Sequence, residues 1–136
     1  MTEFVSEIKK ISFNAERVYA KVSDLSNLSS LAENIPTDKL KDLTSDKDSC
    51  SFTVASIGKI TFRVIEREPN KLVKLQAEDS IIPLTLWLQL KEVKENDTRM
   101  KLTVKAELNT FIKPMVKKPL QEAINKIADV LTAIPY

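Results

Sequence analysis

The sequence predicts an α+β fold in which a six- to seven-stranded antiparallel sheet meets a long C-terminal helix. Two periodicities carry the prediction. From Ser51 to Leu108 apolar residues recur at every second position, the period of strands with one buried face. From Thr110 to Ala133 they fall at Ile112, Val116, Leu120, Ile124, Ile127 and Leu131, a spacing of three or four that lines one side of a helix. A helix with one apolar stripe and a sheet with one apolar face each need a cover, and each provides the other's.

Taken in order, Phe4 to Ser12 alternates as a strand, with Phe4, Ser6 and Ile8 on one face and Glu7 and Lys9 on the other. Asn14 is placed as a helix N-cap for a short helix to Val22. Asp24 opens a second short helix through Leu28, Leu31 and Ala32. Ile35-Pro36 ends it, because the residue before proline is pushed out of the helical region. A polar strand follows from Asp38 to Asp46, and Asp46-Lys47-Asp48-Ser49 has turn chemistry. Cys50, Phe52 and Val54 then share a face, and the chain reverses near Ile57-Gly58. In Lys59 to Arg67, Ile60, Phe62 and Val64 point inward and Arg63 and Arg67 outward. Glu68-Pro69-Asn70-Lys71 is a turn with proline second. Val73, Leu75 and Ala77 line the next strand. Leu84, Leu86, Leu88 and Leu90 line the one after, with Trp87 facing out. A hairpin at Glu95-Asn96-Asp97-Thr98 leads to Met100, Leu102, Val104, Ala106 and Leu108. Short turns make successive strands antiparallel neighbours. In the last helix Pro114 suits the first turn. Pro119 either kinks the helix or marks a later start near Lys118.

Composition narrows the chemistry. The 136 residues are 43% hydrophobic and 29% charged, proportions of a globular domain, and one domain over 1–136 is expected. Lys and Arg number 21 against 19 Asp and Glu, a net charge of +2 too balanced to predict nucleic acid as a partner. There is no run of membrane-spanning length and no basic-then-apolar leader at Met1 to Phe4, so no stable membrane insertion is expected. A single cysteine, Cys50, makes a cytoplasmic location the default. With no histidine the commonest general base and metal ligand is missing, and with one glycine no phosphate-cradling loop exists. No metal and no cofactor are expected.

The opening strand with Phe13-Asn14-Ala15-Glu16-Arg17-Val18-Tyr19 and the Val22-Ser23-Asp24-Leu25-Ser26-Asn27-Leu28 segment carry a resemblance. So do Ile65-Glu66-Arg67-Glu68-Pro69, Leu84-Thr85-Leu86-Trp87-Leu88 and Thr98-Arg99-Met100-Lys101-Leu102. In this order they resemble the SRPBCC superfamily: the START, birch-pollen-allergen and polyketide-cyclase-like helix-grip proteins. The chain departs from it at Leu31, where many relatives carry tryptophan, and at Gly58, which lacks the glycine-rich loop of the plant allergens. The resemblance implies a helix-grip fold, a curved sheet wrapped around the long helix, with a cavity that holds an apolar ligand.

The expected function is therefore non-covalent binding or transport of a small hydrophobic or lipid-like molecule. The candidate lining residues are Phe52, Val54, Phe62, Val64, Val73, Leu75, Leu86, Leu88, Leu102, Val104, Leu120 and Ile124, with Ser6, Ser56 and Asn125 to orient a ligand. Phe4, Ile8, Ile60, Leu84, Met100, Met115, Val116, Ile127 and Leu131 complete the apolar surfaces. A cyclase- or dehydratase-like enzyme is the alternative, requiring an acid-base residue from Glu66, Tyr19 or Tyr136. Catalysis by Cys50 is disfavoured, since nothing activates it. A third reading is a homodimer or protein partner bound through Trp87, as in chaperone-regulating relatives. Lys113, Lys117 and Lys118 beside Ile112, Met115 and Val116 form a small basic cluster, ordinarily a solvated helix start.

Overall fold

A computed structural model describes residues 2–27, 40–54, 58–78 and 82–132. Leu31, Pro36, Ser56, Ile57 and Tyr136 lie outside the described residues, as do most of the second short helix and the side chain of Val54. The described chain runs β1 (Thr2–Val5), β2 (Lys9–Ile11), α1 (Ala15–Val22), β3 (Leu40–Ser45), β4 (Ser49–Val54), β5 (Gly58–Glu68), β6 (Leu72–Glu78), β7 (Leu84–Lys94), β8 (Asp97–Ala106) and α2 (Lys113–Thr132). All pairings are antiparallel, in the order β1-β8-β7-β6-β5-β4-β3, with β2 also on β8. This is the helix-grip arrangement, with eight strands where six or seven were expected.

The extra strand comes from a break in the first one. Val5 pairs with Thr103, Ser6 donates its N–H to Leu102 O at 2.9 Å, and Lys9 pairs with Met100. Glu7 and Ile8 thus oppose one residue, a bulge that bends the strand and reverses its faces. Ile8, expected inside, is 65% exposed. Lys9, expected outside, turns toward α2 and meets Asp129 Oδ1 at 2.7 Å.

Each connection rests on local chemistry. Asn14 caps α1, its Oδ1 accepting from Arg17 N at 2.9 Å. Asp46 Oδ1 accepts from the N–H of Asp48 and Ser49 and from the Ser49 hydroxyl, which closes the β3–β4 turn and holds its carboxyl below the usual range. Asn70 and Asn96 take left-handed φ of 64° and 56° in the next turns, a conformation asparagine tolerates. The helix α2 runs unbroken through Pro119, so that no amide reaches the carbonyl of Met115, which lies in an exposed first turn.

α2 lies against β8, β1 and β2 on one flank and β4 on the other, while α1 covers β7 and β8 at the far end. Between these layers Val18, Ile60, Val73, Met100, Leu102 and Val104 are almost wholly buried.

Candidate functional site

The strand register assembles the inner face in rows. Val64, Leu75, Leu86, Val104 and Phe4 are directly opposed across β5, β6, β7, β8 and β1. Val73, Leu88 and Leu102 form the next row, and Phe62 pairs with Ala77 on the other side. Burial along the first row is uneven. Phe4, Leu75 and Val104 are buried, whereas Val64 and Leu86 remain half-buried although they face the interior. α2 adds Val116, Leu120, Ala123 and Ile124, all buried. Phe52 and Phe62 stack at 6.0 Å between centroids near β4, where both are buried. The middle of the inner face is thus apolar, with accessible surface left at β5 and β7.

The polar candidates stand elsewhere or have other tasks. Ser6 is buried, but its Oγ accepts from Leu102 N at 2.9 Å and donates to Glu7 O at 3.0 Å, so it stitches the bulge. Asn125 is exposed on α2, and its Oδ1 accepts from Gln121 Nε2, which also donates to Val5 O on the edge strand. Cys50 is buried opposite Phe62, and burial pushes its thiol up to about 12, leaving it protonated and unreactive. Tyr19 is half-buried against the core.

A second bulge, at Ile65, decides the fate of Glu66. Val64 pairs with Leu75, but Glu66 pairs with Lys74 and Arg67 with Val73. Glu66, expected at inward parity, therefore lies on the outer face beside Lys74 and is exposed. Arg67, expected outside, lies on the inner side. Its guanidinium donates to Ser23 O at 3.0 and 3.1 Å, to Lys47 O at 3.2 Å and to Asp48 Oδ1 at 2.9 Å. It joins the end of α1 to the β3–β4 turn, with a cation favourably placed at a helix C-terminus. At the opposite end of the rows Glu92 Oε1 accepts from Ala15 N at 3.0 Å, and the Thr98 hydroxyl donates to Phe13 O at 2.8 Å. Parity alone misses these clamps; the adjacent apolar pair Val64-Ile65 is the signal of the slip.

Among the described residues, then, the inner face carries ionisable groups only at its rims, apart from the inert Cys50. No three of Cys, Asp and Glu gather there as a metal site. Trp87 is half-buried on the outer face, with Lys74 and Lys105 Nζ at 5.3 and 5.4 Å from its ring. An open cleft of about 940 Å³ lies beyond the middle of the inner face, at its α1 end, between the start of α1, the Pro69–Lys71 turn and the β7–β8 hairpin. Its charged walls (Glu16, Lys71, Lys91, Glu92 and Glu95) are of mixed sign, and Glu92 is occupied by α1. The apolar interior remains the better candidate.

Residues 1–132 match the family described as polyketide cyclase / dehydrase and lipid transport. No curated protein matches the sequence. Solved structures share its fold at low identity. A START superfamily protein from Mycobacterium smegmatis is 14% identical, over 96% of this chain and 94% of its own, with a TM-score of 0.70. Norcoclaurine synthase from Thalictrum flavum, in complex with dopamine and hydroxybenzaldehyde, is 13% identical over 96% and 85%, with a TM-score of 0.71. The Aha1 dimer from Colwellia psychrerythraea is 18% identical over 98% of both chains, with a TM-score of 0.57.

Proposed function

This chain belongs to the polyketide cyclase/dehydrase and lipid-transport family, within the SRPBCC superfamily, and from that premise we propose that it binds a small hydrophobic or lipid-like molecule between the sheet and α2. The observation that carries the reading is the half-burial of Val64 and Leu86 within an otherwise buried inward row. Apolar side chains left partly uncovered inside a fold offer surface that a ligand can remove from water. The gain is about 25 cal/mol per Å² before ordering costs. Phe62, Leu75, Leu120 and Ile124 border the same space. With Ser6 engaged by Leu102 and Asn125 outside, selectivity in this reading rests on shape and apolar fit. Norcoclaurine synthase holds small aromatic molecules on a like fold, which favours a ligand of that size or a lipid chain.

The reading is one of binding without catalysis. Glu66 stands on the outer face and Cys50 stays protonated, which leaves Tyr19, half-buried against the core, as the acid-base candidate of the cyclase alternative among the described residues. The test is a thermal-unfolding series with long-chain fatty acids and aromatic lipophiles. At least one class is expected to raise the midpoint of the wild type and leave Val64→Trp unmoved. A panel that shifts neither protein contradicts the proposal.

A further inference from the structure

We infer that the start of α2 is a peripheral docking surface for an anionic lipid membrane. Phe111 is 87% exposed and Met115 65% exposed. Phe111 sits in the turn that leads into α2 and Met115 in the first turn of the helix, so two exposed apolar side chains stand close together in the chain at the helix start. The expected place of Met115 was the inner apolar surface; the structure puts it in solvent. Lys113, Lys117 and Lys118 surround them, all exposed, and residues 108–121 contain no acidic residue.

That charge pattern opposes the fold's own preference. A helix N-terminus favours carboxylates in its first turn and is burdened by cations, yet α2 has no acid there, carries Lys113 in that turn and adds Lys117 and Lys118 in the next. Nor is the tip a frayed end. Asn109 Oδ1 accepts from Phe111 N at 2.9 Å and Ile112 N at 2.8 Å, and Asn109 O accepts from Lys113 N at 3.0 Å. The backbone that presents Phe111 is therefore built in advance. Ile112 and Val116, on the adjoining side, pack into the core and anchor the turn.

An apolar tip ringed by lysines complements a lipid headgroup layer, in which aromatic and thioether side chains enter the acyl boundary while ammonium groups meet phosphates. A protein partner would need a pocket for a protruding phenylalanine; a fluid bilayer makes room for it. No described helix is long and apolar enough to cross a membrane, so the contact is adsorption to the surface. Each lysine near an anionic leaflet adds about fivefold to partitioning, and the attraction weakens with salt. The inference stands whatever occupies the interior.

The experiment is co-sedimentation with vesicles of equimolar phosphatidylcholine and phosphatidylglycerol, against vesicles of phosphatidylcholine alone. The wild type is expected to bind the anionic vesicles, and added salt to release it. Phe111→Ser with Met115→Ser, both at exposed positions, is expected to lower binding more than tenfold with an unchanged thermal midpoint. Changing the three lysines to Gln should do the same. Brominated acyl chains should quench the emission of Phe111→Trp and spare Trp87 of the wild type, which lies on the outer sheet face. Wild type that stays in solution at low salt, a serine variant that binds as well as wild type, or quenching of Trp87 overturns the inference.

Discussion

Beneath α1 the inner face is tied by hydrogen bonds from Ala15 N to Glu92, from Thr98 to Phe13 O and from Arg67 to Ser23 O. Beneath α2 the middle of the same face meets apolar side chains, and two of its own, Val64 and Leu86, stay half-buried. Directional bonds fix distances, so the α1 end behaves as a frame. Apolar contact has no direction, so the α2 side can yield to a guest without breaking a bond. The Lys9–Asp129 pair and the Gln121–Val5 bond sit at the edge of α2, outside that middle.

Truncation should separate the two regions most sharply. Leu102→Ala, in the wholly buried row, is expected to cost about 3 kcal/mol in chemical denaturation, whereas Leu86→Ala, at a half-buried position, should cost about 1 kcal/mol or less. Equal losses would erase the distinction between packed and uncovered parts of the inner face. Next in size, Arg67→Ala removes the bonds that join α1, the β3–β4 turn and β5. A loss of about 2 kcal/mol is expected, with Arg67→Lys recovering only part of it because ammonium lacks the planar fork. If Arg67→Ala unfolds like wild type, the frame is not held there.

How much of this was legible beforehand depends on the bulges. Alternation places Phe62, Leu75, Leu88, Leu102 and Val104 correctly, because nothing interrupts the period of two around them. It misplaces Ile8, Lys9, Glu66 and Arg67, because one inserted residue reverses every later side chain in a strand. The sequence holds a faint trace of each slip. Val64-Ile65 puts two apolar residues together, and Ser6 supplies a hydroxyl that bonds to the Leu102 amide beside the break. Met115 fits the helical spacing as well as its neighbours do, yet lies in solvent; periodicity describes one helix and not how far the sheet extends beneath it.

Smaller effects follow from the titrating groups. The Ser49 hydroxyl, with backbone N–H groups, lowers the pKa of Asp46, and Arg99 lowers that of Asp97. A depressed folded-state value means stability that is present above the unfolded carboxylate pKa and lost as pH falls below about 4. Asp46→Asn should therefore be less stable than wild type near neutral pH, with the gap closing in acid. A gap that stays constant with pH would show that the β3–β4 turn is held by the geometry of its bonds and owes nothing to the carboxylate's charge. Cys50 acts at the other extreme: its thiol, raised to about 12 by burial, favours the fold below the unfolded value near 9 and ceases to do so as pH rises toward 12. Iodoacetamide should accordingly label it only on unfolding.

The central claim is that the uncovered middle of the inner face accommodates a small apolar molecule. Native mass spectrometry of protein purified without detergent tests it most directly when wild type and Val64→Trp are compared after exposure to the same lipophile mixture. A ligand-sized mass increment on the wild type, absent from the variant and stripped by organic solvent, is the predicted result. Bare protein mass for both, with every lipophile recovered unbound, would contradict it.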